Sequence, residues 1–130
     1  MTPVLLDSHI VHWWSAEPDR LSPAAVDALD AADELAVASI SWLELAWLAA
    51  QRRIALTIPS AAWLEGLSGQ IRSVGTTPAI AVTAVSLPSS LPGDPVDRLI
   101  YATAIECGWL LVTKDARLRD HRFLRAITIW

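Results

Sequence analysis

Cysteine is almost missing from this chain, with Cys107 the only one in 130 residues. No internal disulfide can form, which agrees with a reducing compartment, and the thiol is assigned to packing. Long apolar runs are missing too. No stretch approaches the roughly 18 uninterrupted apolar residues that a membrane span requires, and the N-terminus lacks a basic region followed by an apolar run and a cleavage site. No membrane association is expected, and a cytoplasmic location is the default. Bases are scarce: ten Lys and Arg stand against fourteen Asp and Glu, for a net charge of −4 and a pI near 5.2. That balance argues against simple nucleic-acid binding, because backbone affinity comes from cations that neutralise phosphates.

Apolar residues, by contrast, are plentiful. They make up 53% of the chain and the mean hydropathy is +0.38, enough for one core with some left for a partner surface. The length fits a single domain spanning residues 1–130. Charge is also unevenly placed. Residues 1–97 carry four bases against eleven acids, while residues 98–130 carry six bases (Arg98, Lys114, Arg117, Arg119, Arg122, Arg125) against three acids. A locally basic tail can border a site whose centre is acidic.

Along the chain, short apolar strands alternate with helices. Pro3 to Leu6 reads as a buried strand ending at Asp7, followed by a helix from Ser8. Ser22-Pro23 opens a second helix, Leu35 to Ser39 a second strand, and Ser41 to Arg53 an apolar helix that must be largely covered. A helix from Pro59-Ser60, a strand over Val74 to Thr77 and a helix from Pro78 to about Val85 come next. The Pro-rich segment Leu87 to Pro95 is a loop. It leads into a helix over Val96 to Cys107 closed by Gly108, then strands at Trp109 to Thr113 and Ile127 to Trp130. This alternation predicts an α/β fold, a three-layer α/β/α sandwich around a short-stranded, mostly parallel sheet.

Four acids occupy informative positions. Asp7 ends the first strand, Glu44 lies within the apolar helix, Asp97 starts the late helix and Asp115 follows a late strand. Each also has a structural explanation: Asp7 and Asp115 as caps, Ser41-Trp-Leu-Glu44 as a capping box, Asp94-Pro-Val-Asp97 as a helix start. Together they point elsewhere, because ligands in open α/β sheets bind beyond the carboxyl ends of the strands and helix N-termini face that same edge. Glu44 is the only ionised side chain from Leu43 to Ala50 and has no base three or four positions away, so its charge needs compensation. Crowded carboxylates repel one another unless a divalent cation intervenes, and oxygen ligands suit Mg²⁺ or Mn²⁺. Such an assembly, with no obvious nucleophile, suits phosphodiester hydrolysis by metal-activated water.

The segments Leu-Leu-Asp7-Ser8-His9, Ser41-Trp-Leu-Glu44, Asp94-Pro-Val-Asp97-Arg98-Leu-Ile, Leu-Val-Thr113-Lys-Asp115 and Ile-Thr-Ile-Trp130, in this order and spacing, resemble the successive signature segments of VapC-type PIN domains. The resemblance covers nearly the whole chain. It implies a PIN-like fold and an Mg²⁺-dependent endoribonuclease, the toxin of a type II toxin–antitoxin module held inactive by a VapB-type antitoxin. It also implies Asp7, Glu44 and Asp97 as core metal ligands and catalytic acids, with Asp115 as the fourth acid. Ser8 replaces the family's common threonine and keeps its hydroxyl. Asp94 is an outer acid, Thr113 orients water or a carboxylate or else packs at a strand end, and Arg98 contacts phosphate or pairs with Asp94 or Asp97. Lys114, Arg117 and Arg119 are further candidates for RNA contact.

His9 and His12, three apart, suggest a zinc pair only weakly, since His121 and Cys107 stand alone. Of the seven tryptophans, Trp42 and Trp47, with Trp13 and Trp14, are candidates for a groove that receives an antitoxin helix, or equally for a homodimer patch. Two other classes compete with the enzyme. One is a PIN-like binding module without catalysis. The other is a phosphoacceptor receiver domain, which expects an adjacent acid pair after the first strand where this chain has Asp7 followed by Ser8.

Overall fold

The structure is a computed structural model in which residues 2–91, 93–120 and 127–130 are described. Five parallel strands form one sheet in the order β3-β2-β1-β4-β5, with β1 at Val4–Leu6, β2 at Leu35–Ala38, β3 at Arg72–Val74, β4 at Leu111–Val112 and β5 at Thr128–Ile129. Leu5 of β1 pairs with Ala36 on one side and Leu111 on the other. The chain therefore runs outward from β1 through β2 to β3, then returns to β4 on β1's opposite edge. That reversal creates a crevice at the carboxyl ends of β1 and β4, where ligand sites form in this architecture.

Among the described residues the helices are α1 (Ser8–Ala16), α2 (Pro23–Ala31), α3 (Ile40–Ala50), α4 (Ser60–Ser68), α5 (Pro78–Ser86), α6 (Pro95–Cys107) and α7 (Ala116–Arg119), with a 3-10 turn at Pro18–Arg20. Alternation along the strands separates two cores. Val4, Leu6, Val37 and Val112 face one layer with Ile10, Trp13, Leu45 and Trp63. Leu5, Ala36, Ala38 and Leu111 face the other with Ile80, Ile100, Tyr101 and Leu118. This is the expected three-layer sandwich.

Local chemistry sets the ends of the helices that matter for the site. Asp94 caps α6, accepting from Val96 N at 2.9 Å, with Pro95 in the first turn. Gly108 ends the same helix at φ 70°, where a side chain would be strained. Ser22 caps α2 through Ala25 N at 3.1 Å, and Thr77 caps α5 through Ile80 N at 3.2 Å. Thr77 is thus the residue that opens α5 rather than the end of the third strand. That strand lies at Arg72–Val74 instead of the expected Val74 to Thr77.

The apolar helix departs from expectation twice. It begins at Ile40, so Ser41 already lies inside it, and the predicted capping box with Glu44 does not form. Nor is the helix largely covered: Leu43 is 59% exposed and Trp47 64%. Trp42 turns inward, packing on the first core and donating its indole N–H to Ser73 Oγ at 2.6 Å.

Candidate functional site

Asp7 is the fixed point of the site. It follows β1 directly and caps α1, is 1% exposed, and has both carboxylate oxygens engaged. Oδ1 accepts from Ser8 N at 2.8 Å, and Oδ2 accepts from Thr113 Oγ1 at 2.6 Å across the crevice from β4. His9 Nε2 lies 3.4 Å from the same Oδ2. A carboxylate that accepts one hydrogen bond at each oxygen is held in one orientation. Thr113 therefore orients a carboxylate, and its Oγ1 also accepts from Asp115 N at 3.0 Å. The Ser8 hydroxyl meets the Ser41 hydroxyl at 3.0 Å, tying the start of α1 to α3.

Asp115 begins α7 and is gripped by Arg117. Its Oδ1 accepts from Arg117 N at 2.9 Å and Nε at 3.1 Å, and its Oδ2 from Nη2 at 2.8 Å. Those bonds hold the Asp115 carboxyl below the usual carboxylate range. The same Nη2 reaches Asp97 Oδ2 at 3.3 Å, so one exposed guanidinium bridges two acids.

Asp97, in the first turn of α6, is buried at 8% exposure. Burial, then the charges of Asp7, Asp94 and Asp115, push its pKa up from 3.8 to about 7, against the opposing effect of Arg117. Asp7, Asp97 and Asp115 thus share one negative field, which Arg117 offsets only in part. Among the described residues, no three of His, Cys, Asp and Glu form a ready-made metal cage. Glu44 stands apart from this trio, lining a separate pocket of about 370 Å³ with Leu43, Trp47, Asp94 and Val96. Asp94 borders that pocket and also acts on Asp97, linking the two places.

A larger cleft of about 810 Å³ opens beside Asp115. Arg20, Arg53, Lys114 and Arg117 line it, together with Trp13 and His12. Lys114 sits 5.5 Å from the Trp13 ring and 5.9 Å from that of Trp130. Sequence reasoning places cations only in the tail and misses Arg20 and Arg53. Both lie in the acid-rich part of the chain, and only tertiary folding brings them here. It also misses Ser41 as a partner of Ser8, reading it as a cap.

The remaining candidates have mixed placements. Arg98 reaches the end of α5 and donates to the carbonyls of Ala84 at 3.0 Å and Leu87 at 2.6 Å, with Pro88 and Leu91 at 3.4 and 3.5 Å. Arg119 Nε donates to Lys114 O at 3.2 Å. His9 and His12 do not act as a pair: His9 faces Asp7, while His12 lies 3.5 Å from Glu17 and burial lowers its pKa. His121, Arg122 and Arg125 lie outside the described residues.

The fold agrees with what comparison with known proteins finds. The PIN domain family model matches residues 4–124, and the chain belongs to that family. Within it the likeness is to the VapC type: the chain is 67% identical to Ribonuclease VapC22 of Mycobacterium tuberculosis (strain ATCC 25618 / H37Rv) over 130 residues, covering 100% of both chains. Two solved structures share the fold. One is a toxin-antitoxin complex from Klebsiella pneumoniae, with TM-score 0.64, 20% identity and 86% of each chain covered. The other is VapBC2 from Rickettsia felis bound to a promoter DNA fragment, with TM-score 0.70, 14% identity and coverage of 99% of this chain and 100% of that one. Family membership removes the receiver-domain reading. Among the described residues no helix is long and apolar enough to cross a membrane.

Proposed function

We propose that this chain is an endoribonuclease that uses Mg²⁺, or Mn²⁺ in its place, and acts in the cytoplasm as the toxin of a VapBC-type module. The observation that carries the reading is the convergence of Asp7, Asp97 and Asp115 at the β1/β4 crevice, where burial together with the neighbouring acids raises Asp97 to about 7. The kinship with a ribonuclease at 67% identity supports the reaction.

The donor set fits the cation. All three groups are hard oxygen donors in a negative field, and Mg²⁺ commonly keeps several waters and takes only one or two carboxylates, so it needs no closed protein cage. Bound there, it would supply the polarisation of a phosphoryl oxygen and the acidification of a water. The chain's own residues do the rest. Thr113, the Ser8 N–H and the neighbouring Ser41 hydroxyl keep Asp7 in place, while Asp97 and Asp115 present carboxylates from the two facing helix starts. Glu44, one helical turn beyond Ser41, acts with Asp94 from the outer side. Lys114 and Arg117 hold phosphate. The exposed Leu43 and Trp47 face seats a VapB-type antitoxin, in a homodimer or a hetero-oligomer.

The deciding experiment incubates partner-free protein with RNA in Mg²⁺, in EDTA, and after Mg²⁺ is restored. Internal cleavage should appear, vanish and return. Cleavage that persists in EDTA rules out the metal-dependent reading. Arg117 bridges two of the acids and so competes with a cation for them, an arrangement that also suits a binding module without catalysis. Calorimetric titration with Mn²⁺ separates the two. Wild type should bind, Arg117→Met severalfold more tightly, and a binding module not at all.

A further inference from the structure

We propose that Ser41 is a positioning residue for the reaction: its buried hydroxyl, joined to that of Ser8, sets where α3 lies against the start of α1 and so how far Glu44 stands from Asp7. The proposal rests on the ribonuclease reading and names the contact that spaces its outer acid from its inner ones.

Ser8 and Ser41 are both fully buried, at 0% exposure, and Ser8 Oγ donates to Ser41 Oγ at 3.0 Å. Stability does not call for hydroxyls there. A buried hydroxyl gains little net free energy from its bond, and two alanines of similar shape would pack between the helices about as well. What the pair adds is direction. Apolar packing, such as that of Leu45 on the first core, is non-directional and tolerates a small slide of α3. A hydroxyl–hydroxyl bond holds only within narrow limits of distance and angle.

Each end of this bond lies next to an acid of the site. Ser8 follows Asp7 and gives its backbone N–H to Asp7 Oδ1 at 2.8 Å, so the residue that orients the carboxylate is also the one that grips α3. Ser41 precedes Glu44 by three residues, about 4.5 Å along the helix axis and on nearly the same face. Helical side chains lean toward the N-terminus, which carries Glu44 back over the turn that holds Ser41. Trp42, in the same turn, donates to Ser73 Oγ at 2.6 Å and fixes the helix toward β3. Ser41 fixes it toward α1. A slide of α3 that breaks the hydroxyl bond moves Glu44 relative to the other acids, while Asp7 keeps both Thr113 and the Ser8 N–H.

The test compares Ser41→Ala, Ser41→Thr and the double variant Ser8→Ala/Ser41→Ala with wild type by Mn²⁺ calorimetry, Mg²⁺-dependent cleavage and thermal melting. Ser41→Ala should bind Mn²⁺ about tenfold more weakly and cut with kcat lowered about tenfold. Its KM for RNA should stay within about twofold, because the groups that hold RNA are untouched. Ser41→Thr keeps the hydroxyl and should recover most of both losses. The double variant leaves no buried hydroxyl without a partner, so it should melt close to wild type. It should nonetheless lose as much Mn²⁺ affinity as Ser41→Ala. Wild-type Mn²⁺ affinity and kcat in the double variant overturn the proposal, and so do losses that follow the melting temperature from variant to variant. Either failure leaves cleavage by wild type standing, whereas a wild-type chain that neither binds Mn²⁺ nor cuts RNA removes the ribonuclease reading itself.

Discussion

Replacing Asp97 with asparagine should abolish cleavage and at the same time make the metal-free protein more stable. Both effects come from one cause. The Asp97 carboxyl is buried beside Asp7, Asp94 and Asp115, and its pKa stands at about 7 against an ordinary 3.8. The folded state therefore holds a proton that the unfolded chain releases between these values, so stability falls as pH rises from about 4 through 7 and levels off above. The full difference corresponds to about 4 kcal/mol, and screening at the open side of the site leaves about 2. The amide of Asp97→Asn carries no such charge. At pH 7.5 the variant should melt about 8 °C above wild type, and its stability should not decline across that interval. Cleavage should drop by about 10³-fold, because the negative field that attracts the cation has lost a member. Mg²⁺ should raise the melting point of wild type and much less that of the variant. A variant less stable than wild type at pH 7.5 would show that the Asp97 charge is already balanced within the protein. Asp115 does not confuse the reading. Arg117 lowers its pKa, so its contribution is present above the ordinary carboxylate range and disappears only on acidification below about 4.

Much of this site is legible in the sequence because its parts are local. An apolar run ending in Asp7 before a helix, or Asp94-Pro95 ahead of Asp97, specifies strand end and helix start within a few residues. Parallel topology then delivers those ends to one edge. Gly108 marks the close of α6 for an equally local reason. Contacts made by long side chains across the fold are a different matter. Glu44 is expected among the ligands because its surroundings in the chain are apolar. In the fold, its helix leaves Leu43 and Trp47 open, so the carboxylate borders solvent and needs less compensation. Ser41 reads as a cap only if the helix starts two residues later than it does, and that shift changes its partner from the backbone to Ser8. Of the cleft cations, Lys114 and Arg117 belong to the basic tail, while Arg20 and Arg53 stand outside it and join them only through the packing of α1 and α3.

Arg98 gives the second large effect, and it follows from this same gap between sequence and fold. The motif Asp97-Arg98 suggests a phosphate contact or an ion pair, yet the guanidinium reaches back across α5. Nε donates to Ala84 O and Nη2 to Leu87 O, with Nη1 toward Pro88 and Leu91. Ala84, Leu87 and Leu91 are all buried, so truncation strands carbonyls that water cannot easily reach, each at about 1 to 3 kcal/mol. Arg98→Ala should cost about 3 kcal/mol and lower the melting temperature by about 10 °C. Arg98→Lys should recover less than half of that, because an ammonium is a point donor and cannot span carbonyls set along a turn as a planar fork can. Below the melting transition, the salt slope of RNA binding should match that of wild type. A slope reduced by about 0.7, with stability unchanged, would instead return Arg98 to the phosphate backbone. The clamp matters to the site through geometry: it fixes the segment that precedes α6 against the end of α5, and so sets the angle at which the first turn of α6 brings Asp97 to the crevice.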